Sequence, residues 1–129
     1  MTGALAALAS VGGVGGGGGG GGYTGSPAAV TWANISGVND GSNGVQTMSG
    51  IIGSVPVTVS STGSGTLLYT LNGVTSPYTG GFNWPNGQTL SWSIQNNTVL
   101  TVSGTITVTN AQAASTMATF TYSVKYFGG

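Results

Sequence analysis

Apolar and polar residues alternate with a period of two along several segments of the chain after residue 28. In one segment Leu90, Trp92 and Ile94 are separated by serines, and in another Ile106 and Val108 are separated by threonine. A β-strand with one face in a core and the other in solvent has this alternation, because successive side chains point to opposite faces. The pattern predicts strands over residues 29–35, 45–52, 55–61, 66–71, 88–95, 98–109 and 118–126.

Short turn signals lie between the predicted strands. They are Asp40-Gly41, Asn43-Gly44, Asn72-Gly73 and Asn86-Gly87. Asn and Gly tolerate positive φ at the two central positions of a type I′ turn, which is the geometry of a tight hairpin. We expect Asn96-Asn97 to turn the chain in the same way. No segment after residue 28 has a helical period of apolar residues.

About seven short strands with regular turns and no helix favour one fold class. The sequence predicts an all-β fold, an antiparallel immunoglobulin-like β-sandwich, over residues 28–129. A barrel or a jelly roll is the alternative arrangement of such strands. The large residues predicted to fill the core are Trp32, Trp92, Phe120 and Tyr122.

Residues 1–27 differ in composition from the predicted sandwich. They contain an unbroken glycine run, preceded by a short apolar segment. One interpretation is a flexible tether, because glycine gives a chain more conformational freedom than any other residue. The other is an extended glycine-rich arm that lies against another subunit, with the apolar residues as its anchor. The residues predicted to form this assembly arm are Leu5, Leu8, Val11, Val14, Gly15, Gly18 and Gly22.

An ordered arm would need many contacts with other chains, since ordering costs about 1–2 kcal/mol per residue. The apolar segment before the glycines is too short for a membrane span, which needs about 20 apolar residues. It also lacks the basic residue that begins a secretory signal peptide. We therefore expect no membrane span. Of the two interpretations of residues 1–27, we favour the extended arm.

Charged side chains are almost absent from the chain. The 129 residues include one aspartate, Asp40, and one lysine, Lys125, with no histidine and no cysteine. General acid–base catalysis and metal binding both depend on those residue types. The composition therefore predicts no enzymatic activity, no metal ion and no other cofactor. Nucleic acid is not an expected partner either, because one lysine cannot supply the necessary phosphate contacts.

The formal net charge of the chain is zero, and only 2% of its residues are charged. A surface without net charge promotes association, because no like-charge repulsion keeps copies apart. We therefore expect a homo-oligomer or a place in a larger assembly. The alternative is a monomer kept soluble by its Ser, Thr, Asn and Gln residues.

Three aromatic residues, Tyr78, Phe82 and Trp84, cluster in a segment rich in Gly and Pro. Tyr and Trp give large contact areas at low entropic cost, so this segment is a candidate contact loop. Three interpretations are open: a loop folded over its own core, a contact with a neighbouring subunit, and a stacking site for a glycan.

The two charged residues have plainer interpretations. Asp40 lies among Asn, Gly and Ser, which predicts a polar turn; a calcium loop would need further carboxylates. Lys125 lies on the last predicted strand among Thr and Ser, where a lysine discourages unwanted pairing at a sheet edge.

Four segments carry a family resemblance: residues 30–37 (VTWANISG), 46–51 (QTMSGI), 105–110 (TITVTN) and 118–124 (ATFTYSV). Together they resemble small immunoglobulin-like β-domains in structural proteins of tailed bacteriophages, over roughly residues 28–127. The glycine-rich arm is similar in style to short virion proteins that attach by an extended tail. The resemblance implies a location in the virion and no catalytic residues.

The function expected from this resemblance is that of a non-enzymatic virion structural protein. It would be a capsid decoration protein, a head fibre or a minor tail component, with capsid or tail subunits as partners. Two other functions remain open. One is a carbohydrate- or receptor-binding β-module that uses Tyr78, Phe82 and Trp84. The other is a secreted filament or pilus-like subunit that assembles by strand exchange.

Overall fold

A computed structural model describes residues 22–98 and 100–127 of the chain. These residues form eleven β-strands and no helix. The strands are β1 (Tyr23–Gly25), β2 (Ile35–Val38), β3 (Asp40–Ser42), β4 (Gln46–Thr47), β5 (Ile51–Ser61), β6 (Thr66–Leu71), β7 (Val74–Pro77), β8 (Phe82–Pro85), β9 (Thr89–Gln95), β10 (Val102–Asn110) and β11 (Ser115–Lys125).

The strands pack as two layers of a sandwich. One layer has the order β5-β10-β11-β2, with β1 and β8 also paired to β5. The other has the order β3-β9-β6-β7, with β4 also paired to β9. The chain passes between the layers at Asn39, where Val38 of β2 pairs with Asp40 of β3. The described ladders are antiparallel except β2 with β11, which is parallel. This order matches an immunoglobulin-like sandwich, so the predicted fold class is confirmed.

The core lies between the layers and is centred on Trp32. Its ring centroid is 5.6 Å from that of Trp84, 5.7 Å from that of Trp92 and 6.3 Å from that of Phe120. Tyr122 is also buried, with 3% of its surface exposed. All four residues predicted to fill the core therefore do so, and Trp84 joins them. Aromatic rings at these separations add to the stabilisation that burial alone provides.

Several predicted strands agree with the structure, among them residues 66–71, which are β6 itself. The prediction for residues 29–35 was wrong for all but its last residue. Val30 and Trp32 are buried there, yet residues 29–34 form no strand ladder. Side chains take the place of a strand partner: Asn43 Nδ2 donates to the carbonyl of Ala33, and the Thr121 N–H donates to the side chain of Asn34. Buried and exposed side chains therefore alternate in this segment, although its backbone does not pair with another strand.

The turn signals had mixed outcomes. Asn72 and Gly73 have φ of 51° and 86° between β6 and β7, as a type I′ turn requires. The turn predicted at Asp40-Gly41 was wrong, because both residues lie in β3 and the chain turns at Asn39 instead, with φ of 67°. Asn43-Gly44 is not a hairpin turn either, because Asn43 lies against β9 and accepts a bond from the Trp92 N–H at 2.9 Å.

The sandwich has two opposite ends, and different residues are exposed at each of them. At one end lie β1 and the turn between β10 and β11, residues 111–114; we call it the arm pole. At the other lie Asn39, the connection from β9 to β10, and the end of β11; we call it the far pole.

Candidate functional site

The assembly arm predicted from the sequence falls mostly outside the described residues. Gly22 is its one member within them, and its carbonyl accepts a hydrogen bond of 2.9 Å from the N–H of Ser54. A Cβ added to Gly22 would lie 3.2 Å from Oε1 of Gln112, so the backbone passes close to that side chain. The members outside the described residues are Leu5, Leu8, Val11, Val14, Gly15 and Gly18.

The base of the arm is fixed to the domain by Tyr23. Its N–H donates to Oε1 of Gln112 at 3.0 Å, and its carbonyl accepts from Nε2 of the same side chain at 3.0 Å. Its hydroxyl accepts a bond of 2.9 Å from Nδ2 of Asn110, a residue with 4% exposure. Backbone and side chain of Tyr23 are therefore both held by residues at the end of β10 and in the turn that follows it.

Asn110 also shapes the turn that presents Gln112. Its Oδ1 accepts bonds from the N–H groups of Gln112 at 3.0 Å and Ala113 at 3.1 Å. Such local bonds from an Asn side chain to the following backbone stabilise a turn. The three residues Asn110, Gln112 and Tyr23 thus act as one unit, which we call the arm clamp.

Glycines allow β1 to approach the start of β5. Gly25, Gly50 and Gly53 have φ of 98°, 88° and 105°, a region that residues with a Cβ rarely adopt. A Cβ on Gly25 would lie 2.5 Å from the carbonyl oxygen of Gly50. Consequently β1 belongs to the sandwich, although the sequence assigned residues 1–27 to the arm.

At the far pole, two asparagines tie the end of β11 to its neighbours. The N–H of Asn39 donates to the carbonyl of Lys125 at 2.7 Å, and its Oδ1 accepts from the N–H of Phe127 at 3.0 Å. Asn96 is 1% exposed, and its Nδ2 donates to the carbonyls of Leu100 and Val124 at 2.7 and 2.9 Å.

Three large apolar residues are exposed around these asparagines. They are Val38, Leu100 and Phe127, with exposures of 47%, 72% and 76%. Lys125 is also exposed there, at the end of β11. The far pole therefore combines exposed apolar side chains with the only lysine of the chain.

The candidate contact loop folds over the core of its own domain. Phe82 is 7% exposed and stacks on Tyr69 with ring centroids 3.9 Å apart, and Trp84 is fully buried in β8. Trp84 Nε1 donates to the carbonyl of Gln88, and the hydroxyl of Tyr78 accepts from the N–H of Val59. The rings of Phe82 and Trp84 are therefore not accessible for stacking on a glycan or on a neighbouring subunit.

A polar groove lies on the outer face of the layer β3-β9-β6-β7. Its volume is about 310 Å³. Register explains its lining: Asp40 pairs with Gln95, Ser93 with Leu68, and Ser91 with Thr70, so these side chains point to the same face. Asp40 thus lies on a strand beside a groove, and the polar turn predicted around it is wrong.

Sequence patterns predicted the arm but gave no indication of the clamp. Gln112 and Asn110 lie 89 and 87 positions from Tyr23, and a single Gln or Asn after a strand carries no signal for such distant pairing. The one available signal was Tyr23 itself, the first large side chain after the glycine run.

Comparisons with known proteins add little to this description. No protein-family model matches the chain, and no curated protein matches it. A solved structure described as "Structure of the N-terminal domain of PorA" aligns with 15% sequence identity over 79% of this chain and 89% of that chain. Its TM-score is 0.32, a level of likeness that carries no weight for fold or function. Within the described residues, no helix has the length and hydrophobicity that a membrane span requires.

Proposed function

We propose that this chain is a non-enzymatic structural protein of a virion, attached to capsid or tail subunits through its N-terminal arm. The arm clamp is the observation that carries the proposal. It fixes Tyr23, the residue that follows the glycine run, on one side of the domain, which would suit an arm that must reach a neighbouring subunit. A free tether would have no need of three hydrogen bonds at its base.

The arrangement of the domain supports a role as a capsid decoration, head-fibre or minor tail component. Its two layers enclose a core of aliphatic and aromatic residues, and its surface carries little charge. A neutral surface favours association with other subunits. With the arm pole facing a particle, the far pole would project outward.

The test is incorporation into particles during assembly. We expect particles assembled with the full chain to contain it, and particles assembled with residues 21–129 alone to lack it. A matched variant, Leu5→Asp with Leu8→Asp, keeps the length of the arm and removes its apolar anchor; it should also fail to incorporate. The amount of protein per particle is measured by mass spectrometry. Normal incorporation of either variant would reject the proposal.

A filament subunit is the second candidate, and one observation favours it. Exposed Val38, Leu100 and Phe127 lie at the pole opposite the arm, so the arm of one copy could dock on the far pole of the next. A contact between two different surfaces produces an open, linear assembly when the rotation does not close. Electron microscopy of the purified full chain distinguishes the candidates: filaments that disappear with Phe127→Ser would favour this one.

A further inference from the structure

The polar groove on the outer face of the layer β3-β9-β6-β7 takes no part in the proposed attachment. Its volume of about 310 Å³ lies at the lower end of the range for ligand sites, about 300–1,000 Å³. Neighbouring strands are about 4.8 Å apart, so the lining forms a regular grid of side chains. The groove is lined by Asp40, Ser42, Leu68, Thr70, Ser91, Ser93 and Gln95, among others.

Ser91 is the deepest polar side chain of the groove. It is 9% exposed, and its hydroxyl is in contact with the open space of the groove. By contrast, the hydroxyls of Thr70 and Thr75 form a hydrogen bond with each other, with their oxygen atoms 2.7 Å apart. A hydroxyl that faces the groove can donate a hydrogen bond to a bound group and accept one from it. The floor of the groove is therefore suited to a hydrogen-bonding ligand.

The other lining groups define the chemistry of that ligand. Asp40 is exposed at one side, and its carboxylate only accepts hydrogen bonds, whereas Ser93 and Gln95 both donate and accept. Leu68 provides a partly buried apolar contact between the polar groups. A ligand that matches these side chains carries many hydroxyls, two of which can donate hydrogen bonds to the carboxylate of Asp40. It also has an apolar face of C–H groups that can pack against Leu68.

We propose that this groove binds a neutral saccharide. An anionic partner is disfavoured, because the lining contains the carboxylate of Asp40 and no lysine or arginine. A protein partner is disfavoured as well, because the core of a protein interface is usually apolar and aromatic. The one aromatic residue that lines the groove, Trp92, is fully buried with its ring against Trp32 and Phe82. The site is separate from Tyr78, Phe82 and Trp84.

The test is titration of the full-length protein, followed by the amide signals in NMR. Probes are methyl glucoside, methyl galactoside, maltose and lactose, with glucuronate as the anionic comparison. We expect at least one neutral sugar to shift the amides of Ser91, Ser93 and Gln95 with a millimolar dissociation constant. Asp40→Asn should weaken that binding about tenfold, because a charged carboxylate accepts hydrogen bonds from hydroxyls more strongly than a neutral amide does. Lys125→Gln, which removes the other charge, should leave it unchanged.

Asp40 is exposed, so its replacement does not threaten the fold. The absence of shifts with all four neutral sugars would overturn the proposal. Equal binding of glucuronate, or an Asp40→Asn variant as strong as the parent, would also overturn it. These outcomes are independent of whether the arm attaches the protein to a particle.

Discussion

At the scale of single residues, the three tryptophans of the core differ in their hydrogen bonding. Trp32 Nε1 donates to the carbonyl of Leu90 at 3.0 Å, and Trp84 Nε1 donates to that of Gln88 at 2.7 Å. Trp92 Nε1 is buried and has no partner among the described residues. Since an unsatisfied buried donor costs about 1–3 kcal/mol, Trp92 contributes to stability by packing alone.

This difference predicts unequal effects of one substitution. Trp32→Phe and Trp92→Phe remove the same atoms, but only the first removes a hydrogen bond. We expect Trp32→Phe to lower the free energy of unfolding by about 1–2 kcal/mol more than Trp92→Phe does. Urea denaturation followed by circular dichroism measures both values. Equal losses, or a larger loss for Trp92→Phe, would show that packing decides the cost at both sites.

At the scale of elements, β1 and β5 form a ladder that depends on glycine. Gly53 pairs with Tyr23, has φ of 105°, and leaves no room for a Cβ, which would collide with the carbonyl oxygen of Gly22. The arm clamp and this ladder hold the same short strand from two sides.

Gly53→Ala should release β1 while the rest of the sandwich stays folded. We expect a loss of more than about 1 kcal/mol in stability, because the backbone conformation is incompatible with alanine. Hydrogen exchange of the backbone amides in residues 22–28 should become faster. Gly44→Ala is the matched control, since Gly44 has open space around it, and it should change neither quantity. Unchanged exchange in Gly53→Ala would contradict this role of the glycine.

Alternation along the chain sufficed to predict the strand class, the sandwich and its aromatic core. Strands such as β10 and β11 alternate because one of their faces meets the core. The short strands β1, β3, β7 and β8 were not predicted, because each has at most four residues and too few alternating positions to be recognised. Pairings such as Tyr23 with Gln112 join residues that are far apart in the sequence and meet only in the folded domain. The alternation of neighbouring residues does not predict them.

At the scale of the whole molecule, the two poles carry different surfaces. The arm pole holds the base of a glycine-rich segment, and the far pole exposes apolar residues beside the only lysine. The polar groove lies on a side of the sandwich, between the poles. The proposed attachment and the proposed saccharide binding would therefore use different surfaces of the domain.

The central claim is that association resides in the arm and that the sandwich folds without it. Light scattering after size exclusion tests this claim most directly, with the full chain compared with residues 21–129. The account predicts an oligomer for the full chain and a folded monomer for the shortened one, with unchanged circular dichroism of the β-sheet. An oligomer that persists without residues 1–20, or a shortened chain that fails to fold, would contradict it.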